Sequence, residues 1–231
     1  MADDLAGAGV PPSIDRATLA GLLSLHAPLA PVPVCPALRA FSATDELPLW
    51  QAIEDACGHQ IDAPFFAVAW PGAQLVARAI LAGTVDVRGR RVLELGCGSG
   101  LSSVAAALAG AAHVRATDID GLALLTTSLL AEAHGVRVVT GVLSVLDDDA
   151  IMAALNDTDV VIAADVVYNR ELGLALARLI GQCRSRGIDV VVADSGRPFF
   201  DPAGLAATET SDVPVPFGVE GRSSRRVVLY R

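Results

Sequence analysis

The sequence contains no lysine. All 17 of its basic residues are arginine, against 26 acidic ones, for a formal net charge of −9. Such a chain offers no basic footprint for nucleic acid or for an anionic membrane. The acid excess is compatible with a cationic partner, but its simplest role is solubility. The missing lysine and the abundant alanine share one bland cause, a GC-rich coding bias. Aromatic residues are scarce, at 4%. Cys35, Cys57, Cys97 and Cys183 are scattered, with no C-x-x-C pair. That argues against disulfides and zinc and points to reduced thiols in a cytoplasmic setting. His26, His59, His113 and His134 show no ligand spacing either, so no metal is expected. The longest stretch without a formal charge, Ala17 to Leu38, carries Pro28, Pro31, Pro33 and Pro36. A membrane-spanning helix does not easily tolerate that density of proline. Asp3 and Asp4 stand where a signal peptide would carry positive charge.

What is present is apolar: 52% of the residues, with a mean hydropathy of +0.50. At 231 residues the chain is long enough for one substantial core, or a core and a small appendage. Residues 1–12 are expected to fray. Ile14 to Leu25 reads as a short helix with Ser13 as its N-cap, followed by extended chain through the prolines and a strand over Ala37 to Phe41. Glu46 to Cys57 reads as a helix stopped by Gly58. This first part, residues 1–60, lacks the apolar periodicity to fold alone and is expected to cap the domain formed by residues 61–231.

From Phe65 onward, strands and helices alternate. A helix over Gly72 to Leu81 feeds a first core strand, Arg91 to Leu95. Further strands are expected at His113 to Thr117, Val136 to Thr140, Asp159 to Ala164 and Ile188 to Ala193, with helices between them. Strands spaced by helices imply a parallel sheet covered on both faces. The tail, Thr208 to Val213 and Arg225 to Tyr230, reads as an antiparallel pair. The expected fold is α/β and Rossmann-like: a mostly parallel seven-stranded sheet with an antiparallel C-terminal strand and a small N-terminal cap. Ligands in such sheets bind at the carboxyl ends of the strands, near the switch point.

One stretch organises the rest: Arg91 to Gly100, reading R-V-L-E-L-G-C-G-S-G. Gly96, Gly98 and Gly100 strip side chains from a strand-to-helix turn, so a ligand can lie against backbone and against a helix N-terminus. A dinucleotide fingerprint would read G-x-G-x-x-G; here the third glycine comes one place early, and Glu94 sits two residues before the first. Another nucleotide ligand and a ligand-free turn remain the alternatives. Asp118, at the end of the second core strand, can accept both hydroxyls of a ribose, or it is an exposed turn carboxylate. Asp120 reads as a helix N-cap. Asp147, Asp148 and Asp149 read as a solvated loop. Asp165 and Tyr168, three apart after the fourth core strand, can hold an amine by hydrogen bonds and by an aromatic face. A strand-ending Asp and a packed Tyr is an equal reading.

The E-x-G-x-G-x-G form resembles motif I of the class I S-adenosylmethionine (SAM) methyltransferases. The D-x-x-Y of Asp165 to Tyr168 resembles the seven-β-strand protein-lysine methyltransferases. Leu47-Pro48-Leu49-Trp50, Pro64 to Gly72, Thr117-Asp118-Ile119-Asp120 and Asp194-Ser195-Gly196-Arg197-Pro198 are similar to one branch of them. That branch is the electron-transfer-flavoprotein β-subunit lysine methyltransferases and their bacterial relatives. The resemblance implies SAM as cofactor, with S-adenosylhomocysteine as product. It implies a cofactor site of Trp70, Glu94, Gly96, Cys97, Gly98, Gly100, Asp118, Ile119, Val142, Leu143 and Ala164. Glu94 would suit the cofactor's ammonium group, directly or through water. Val142 backbone and Leu143 would hold adenine, where many such enzymes place an acid. Asp165 and Tyr168 would serve the acceptor. The implied partner is a protein substrate, such as the flavoprotein β subunit or a ribosomal protein, with a nicotinamide-like small amine and a non-catalytic SAM-binding role as alternatives. Ser195 in place of the family's proline, and Phe66 and Val68 in place of bulkier residues, are departures on the substrate side.

Overall fold

The computed structural model describes residues 14–231. The expected frayed start and the Ser13 cap lie outside them. Helix α1 (Arg16–His26) is instead capped by Asp15, whose carboxylate accepts the Ala17 and Thr18 amides. The proline-rich stretch does more than run extended. Strands β1 (Leu29–Val32) and β2 (Cys35–Phe41) pair as an antiparallel hairpin, Leu29 opposite Phe41. Helix α2 (Leu47–Cys57) follows and ends on Gly58, whose backbone is left-handed, at φ 74°. Leu19, Leu23, Leu38, Leu49 and Ile53 of these elements are buried in the same apolar cluster as Leu75 and Leu130 of the main domain.

Helix α3 (Pro71–Leu81) is buried along almost its whole length. Then come β3 (Arg91–Leu95), α4 (Leu101–Leu108), β4 (His113–Asp118), α5 (Gly121–Ala133) and β5 (Val139–Val142). They are followed by α6 (Asp148–Ala154), β6 (Val160–Ala164), α7 (Arg170–Ser185) and β7 (Asp189–Asp194). Strand β8 (Ala207–Pro214), a short helix α8 (Phe217–Glu220) and β9 (Ser224–Tyr230) close the chain. The third parallel strand starts later than expected, at Val139 rather than Val136.

The seven-stranded sheet runs β5-β4-β3-β6-β7-β9-β8. The first five are parallel; β9 is antiparallel to both β7 and β8. The pleat sorts side chains by a period of two. Val92, Val160, Ile162, Val191 and Ala193 join the core beneath α3, α4 and α5. Leu93, Leu95, Val161, Ala163, Val190 and Val192 join the core beneath α6 and α7. Because both faces are covered, the strands read as near-continuous apolar runs. The chain moves outward from β3 through β4 to β5, then returns to β6 on the other side of β3. The switch point therefore lies between β3 and β6, and the crevice at their carboxyl ends is where this architecture binds ligands.

At the opposite ends of these two strands, Arg91 ties β3 to β6. Its Nη2 lies 2.7 Å from Asp159 Oδ1, and its Nε and backbone N–H donate to Oδ2 at 3.1 and 2.8 Å. The Arg91 hydrogen bonds hold the Asp159 carboxyl far below the usual carboxylate range. A depressed carboxyl contributes stability above its unfolded value of about 3.9, lost as the pH falls through its folded value. Asp159→Asn should therefore lower the melting temperature at pH 7. The difference from the parent should shrink as both are melted at pH values progressively below about 4. A gap independent of pH would show that the charge is not what stabilises this corner.

Candidate functional site at the carboxyl edge of the sheet

The apolar run of β3 ends in a turn that only glycine makes comfortably: Gly96, Gly98 and Gly100 have φ of 63°, 49° and 78°. Each has a different spatial reason as well. A Cβ on Gly96 would stand 2.7 Å from Val166 Cγ1, so the loop after β6 lies directly over the turn. A Cβ on Gly100 would stand 2.7 Å from the Thr127 side chain, so α5 packs against the start of α4. A Cβ on Gly98 would meet nothing within 4 Å: that glycine faces open space. This is the cradle a ligand lying on backbone requires.

The turn is held from β4. Asp118 Oδ2 accepts the Gly98 N–H at 2.9 Å, and its Oδ1 accepts the Asp120 N–H at 3.1 Å. The Cys97 N–H donates to the Thr117 carbonyl at 2.9 Å, and the Cys97 thiol is buried against Thr127 Oγ1 at 3.3 Å. Burial raises the Asp118 carboxyl, against the lowering effect of its backbone donors. Asp120 caps α5 by accepting the Leu122 N–H, as its position predicts. Burial pushes its carboxyl up to about 6. Asp147, read as part of a solvated loop, caps α6 by accepting the Ala150 N–H.

Glu94 does not stand open. It is 1% exposed, and its Oε2 accepts both the backbone N–H, at 3.0 Å, and the hydroxyl of Ser103 in the first turn of α4. Burial pushes its carboxyl up to about 7. Glu94 thus fixes the helix whose N-terminus follows the glycine turn. Ile119 and Val142 are half exposed at the ends of β4 and β5, whereas Leu143 is buried and its N–H donates to the Asp118 carbonyl at 3.2 Å. Ala164 ends β6. Trp70 immediately precedes α3, with its indole N–H donating to the Phe65 carbonyl at 2.8 Å and its ring tilted against Phe65. The glycine turn and Asp118, Ile119, Val142, Leu143 and Ala164 all lie at the carboxyl edge of adjacent strands.

Asp165 and Tyr168 part company. Tyr168 is 62% exposed, with its hydroxyl raised by partial burial and by the negative charges of Asp118 and Asp62. The Asp165 side chain is only 4% exposed. Its backbone is left-handed, at φ 56°, which Asp tolerates better than most residues. Its Oδ2 accepts the Gly72 N–H of α3 at 2.5 Å, and its own N–H donates to the Ala193 carbonyl at 3.0 Å. Burial pushes its carboxyl up to about 6.

Two residues that received no role from the sequence belong here. Gly72 is one: a Cβ there would stand 2.5 Å from Asp165 Oδ2 and 3.1 Å from the Ala193 carbonyl. Arg197 is the other, with its Nη2 4.0 Å from Asp165 Oδ1. Both sit inside the segments that carry the resemblance, and that was the signal available. Among the described residues no cluster of His, Cys, Asp and Glu could hold a metal ion.

Residues 42–201, from just after β2 into the loop after β7, match the family described as lysine methyltransferase. The chain belongs to the lysine methyltransferase family. Within it, the electron transfer flavoprotein β subunit lysine methyltransferase of Danio rerio is 34% identical over 139 residues, covering 60% of this chain and 52% of the relative. The protein of the same name from Xenopus laevis is 30% identical over 169 residues, covering 73% and 66%. The chain spans about half the length of the first of these curated relatives. A solved structure from Streptococcus mutans, described as that of a putative SAM-dependent methyltransferase, has a TM-score of 0.51 at 17% identity, over 70% of this chain and 49% of that one. The likeness is one of fold. The family's matched region contains every element of the site, from Trp70 to Arg197.

The Gly72 contact gives a direct test of the geometry. Gly72→Ala should displace the Asp165 carboxylate and lower stability by about 1–3 kcal/mol, the usual cost of overpacking a filled site. Thermal melting would show it. An unchanged melting temperature would mean that α3 and the loop after β6 are not in the contact described.

Proposed function

We propose that this chain is a SAM-dependent N-methyltransferase that acts on a lysine side chain of a protein. The observation that carries the proposal is the open cradle at Gly98, beside Asp118 and across the switch point from the loop of Asp165 and Tyr168. Gly96, Cys97, Gly98 and Gly100 would hold the cofactor through backbone, and Asp118, with lone pairs beyond its backbone bonds, the ribose. Val142 and Leu143 would border the adenine, with Ile119 beside the ribose acid, Ala164 on the β6 side of the cofactor and Trp70 near the reacting end. Glu94 supports the site through α4. Bound SAM would supply a methyl group on a sulfonium, activated without help from the protein.

The protein's task is then positioning, which can supply most of the acceleration in an in-line displacement. The acceptor must be a neutral amine, yet free lysine has a pKa of about 10.4. A nearby carboxylate raises that value and desolvation lowers it. Asp165, expected to orient the amine, is enclosed with one oxygen on the Gly72 N–H, so it is suited to holding the acceptor side in place and not to deprotonating the amine. Tyr168, exposed at the mouth, offers its hydroxyl and ring face to the acceptor. The acceptor protein is proposed to be of the kind named for the relatives, a flavoprotein β subunit. Residues 61–231 are proposed as the methyltransferase unit and residues 1–60 as a cap over one flank. Cys35, Cys97 and Cys183, all buried thiols, fit the reducing, cytoplasmic setting proposed here. Among the described residues no helix is long and apolar enough to cross a membrane.

Calorimetry should show saturable binding of SAM and of S-adenosylhomocysteine, abolished in Gly98→Arg, whose side chain fills the cradle. Asp118→Ala should weaken SAM binding first. Tyr168→Phe should lower turnover while leaving SAM affinity nearly intact. Asp165→Asn should reduce kcat/KM about tenfold or more, since a lost charge-assisted hydrogen bond costs about 1.5–3 kcal/mol. Mass spectrometry of a lysate incubated with labelled SAM should find the label on protein lysine. Label confined to small amines would overturn the acceptor class, and binding of NAD in place of SAM would overturn the cofactor.

A further inference from the structure

Asp165 is a buried carboxylate whose two oxygens have different fates. Oδ2 holds the Gly72 N–H; Oδ1 is buried without a hydrogen-bond partner. Facing Oδ1 at 4.0 Å is Arg197, whose Nε is likewise buried without a partner. The loop that carries Arg197 is itself fixed: Asp194 Oδ1, at the end of β7, accepts the Gly196 N–H at 2.7 Å and the Arg197 N–H at 2.8 Å. Arg197 is thus aimed at Asp165 by a built turn and is not a surface side chain that happens to lie near it.

We propose that Arg197 is a positioning residue that acts through Asp165: its guanidinium keeps the Asp165 carboxylate charged inside the protein, and so keeps α3, with Trp70 before it, bound to the loop that presents Tyr168. The assignment deepens the methyltransferase reading and rests on it for its catalytic consequence, but not for its structural one.

The physical need for Arg197 follows from burial. An isolated carboxylate out of water takes up a proton unless a neighbouring charge or donor opposes it. The charges that bear on Asp165 are Arg197 and Asp194, both from β7 and the loop after it; α3 contributes the Gly72 N–H and the loop the Ser195 hydroxyl. Asp194 disfavours the charged form of Asp165. Arg197 favours it and opposes the effect of burial more than the Gly72 N–H does. The sign follows. Without the guanidinium, Asp165 takes up its proton at a higher pH, and near pH 7 the charged acceptor for Gly72 is lost. An opposite charge at this range shifts a carboxyl by about one to three pH units.

The experiment reads the carboxyl directly. The carboxyl carbon of Asp165, labelled with carbon-13 and identified by its absence in Asp165→Asn, is titrated by NMR in the ligand-free full chain. The parent is compared with Arg197→Gln, Arg197→Met and Arg197→Lys. Gln and Met should both raise the Asp165 midpoint by about one pH unit or more, and Lys should restore most of it. In the methyl-transfer assay the acid limb of kcat/KM should move by the same amount, with activity recovered at higher pH. An Asp165 midpoint unmoved by both Gln and Met, or a loss of activity equal at every pH, would overturn the proposal. Should Gln and Met fail to fold, the parent decides: an Asp165 carboxyl that carries its proton at pH 7 overturns the proposal, and one that is ionised there supports it. If the parent methylates no amine, the function is wrong, and the NMR titration still decides the role of Arg197.

Discussion

Carboxylates at strand ends, spent on backbone amides, hold this site together. Each of the four central parallel strands has one. Glu94 of β3 accepts an amide of α4, Asp118 of β4 an amide of the glycine turn, and Asp165 after β6 the amide of Gly72; Asp194 of β7 accepts two amides of its own loop. A loop crossing the edge of a buried sheet leaves N–H groups without partners, and an unpaired buried N–H is costly. These acids satisfy them. The same arrangement gathers negative charge at the edge, where burial raises every one of the four carboxyls from its ordinary value. The net effect is a rim whose rigidity and whose charge come from the same atoms. Arg197 is the cation set into it.

Much of this was legible in the sequence because the relevant patterns are local. The order of strands and helices follows from apolar runs separated by amphipathic segments, and the glycine turn from three glycines at alternate positions. The antiparallel tail was legible as two strands around a turn-rich loop. Strand β5 was misplaced by three residues because Val136 and Val138 look like strand residues, yet pack as partly buried connectors between α5 and the strand. The hairpin of β1 and β2 was read only as extended chain and one strand: the prolines mask the pairing, which Pro31 opposite Arg39 nonetheless accommodates.

What the sequence could not show is which partner each acid chooses. Asp165 meets Gly72 across 93 positions, and Glu94 meets Ser103 on the neighbouring helix. Nothing in residue type or spacing distinguishes a carboxylate that faces a ligand from one that faces the amide of a packed helix; only the fold decides. Hence the contrast between Tyr168 and Asp165, three residues apart, one at the surface and one enclosed. The second cause is glycine. Gly72 reads as a poor helix residue, and the approach of Asp165 and of the Ala193 carbonyl explains why no side chain stands there.

The left-handed backbone of Asp165 acts as a filter on how this position can drift. A β-branched residue is strained there, and glutamate carries the same charge on a longer arm without the short side chain that makes this conformation accessible. Asparagine and glycine fit the backbone but abandon the charge. A lineage that kept the fold while changing its chemistry would find its shortest path through asparagine, and one that kept the chemistry would have almost no synonym to explore. Variation around this rim should therefore collect at the exposed positions of the loop, leaving the aspartate as the still point between them.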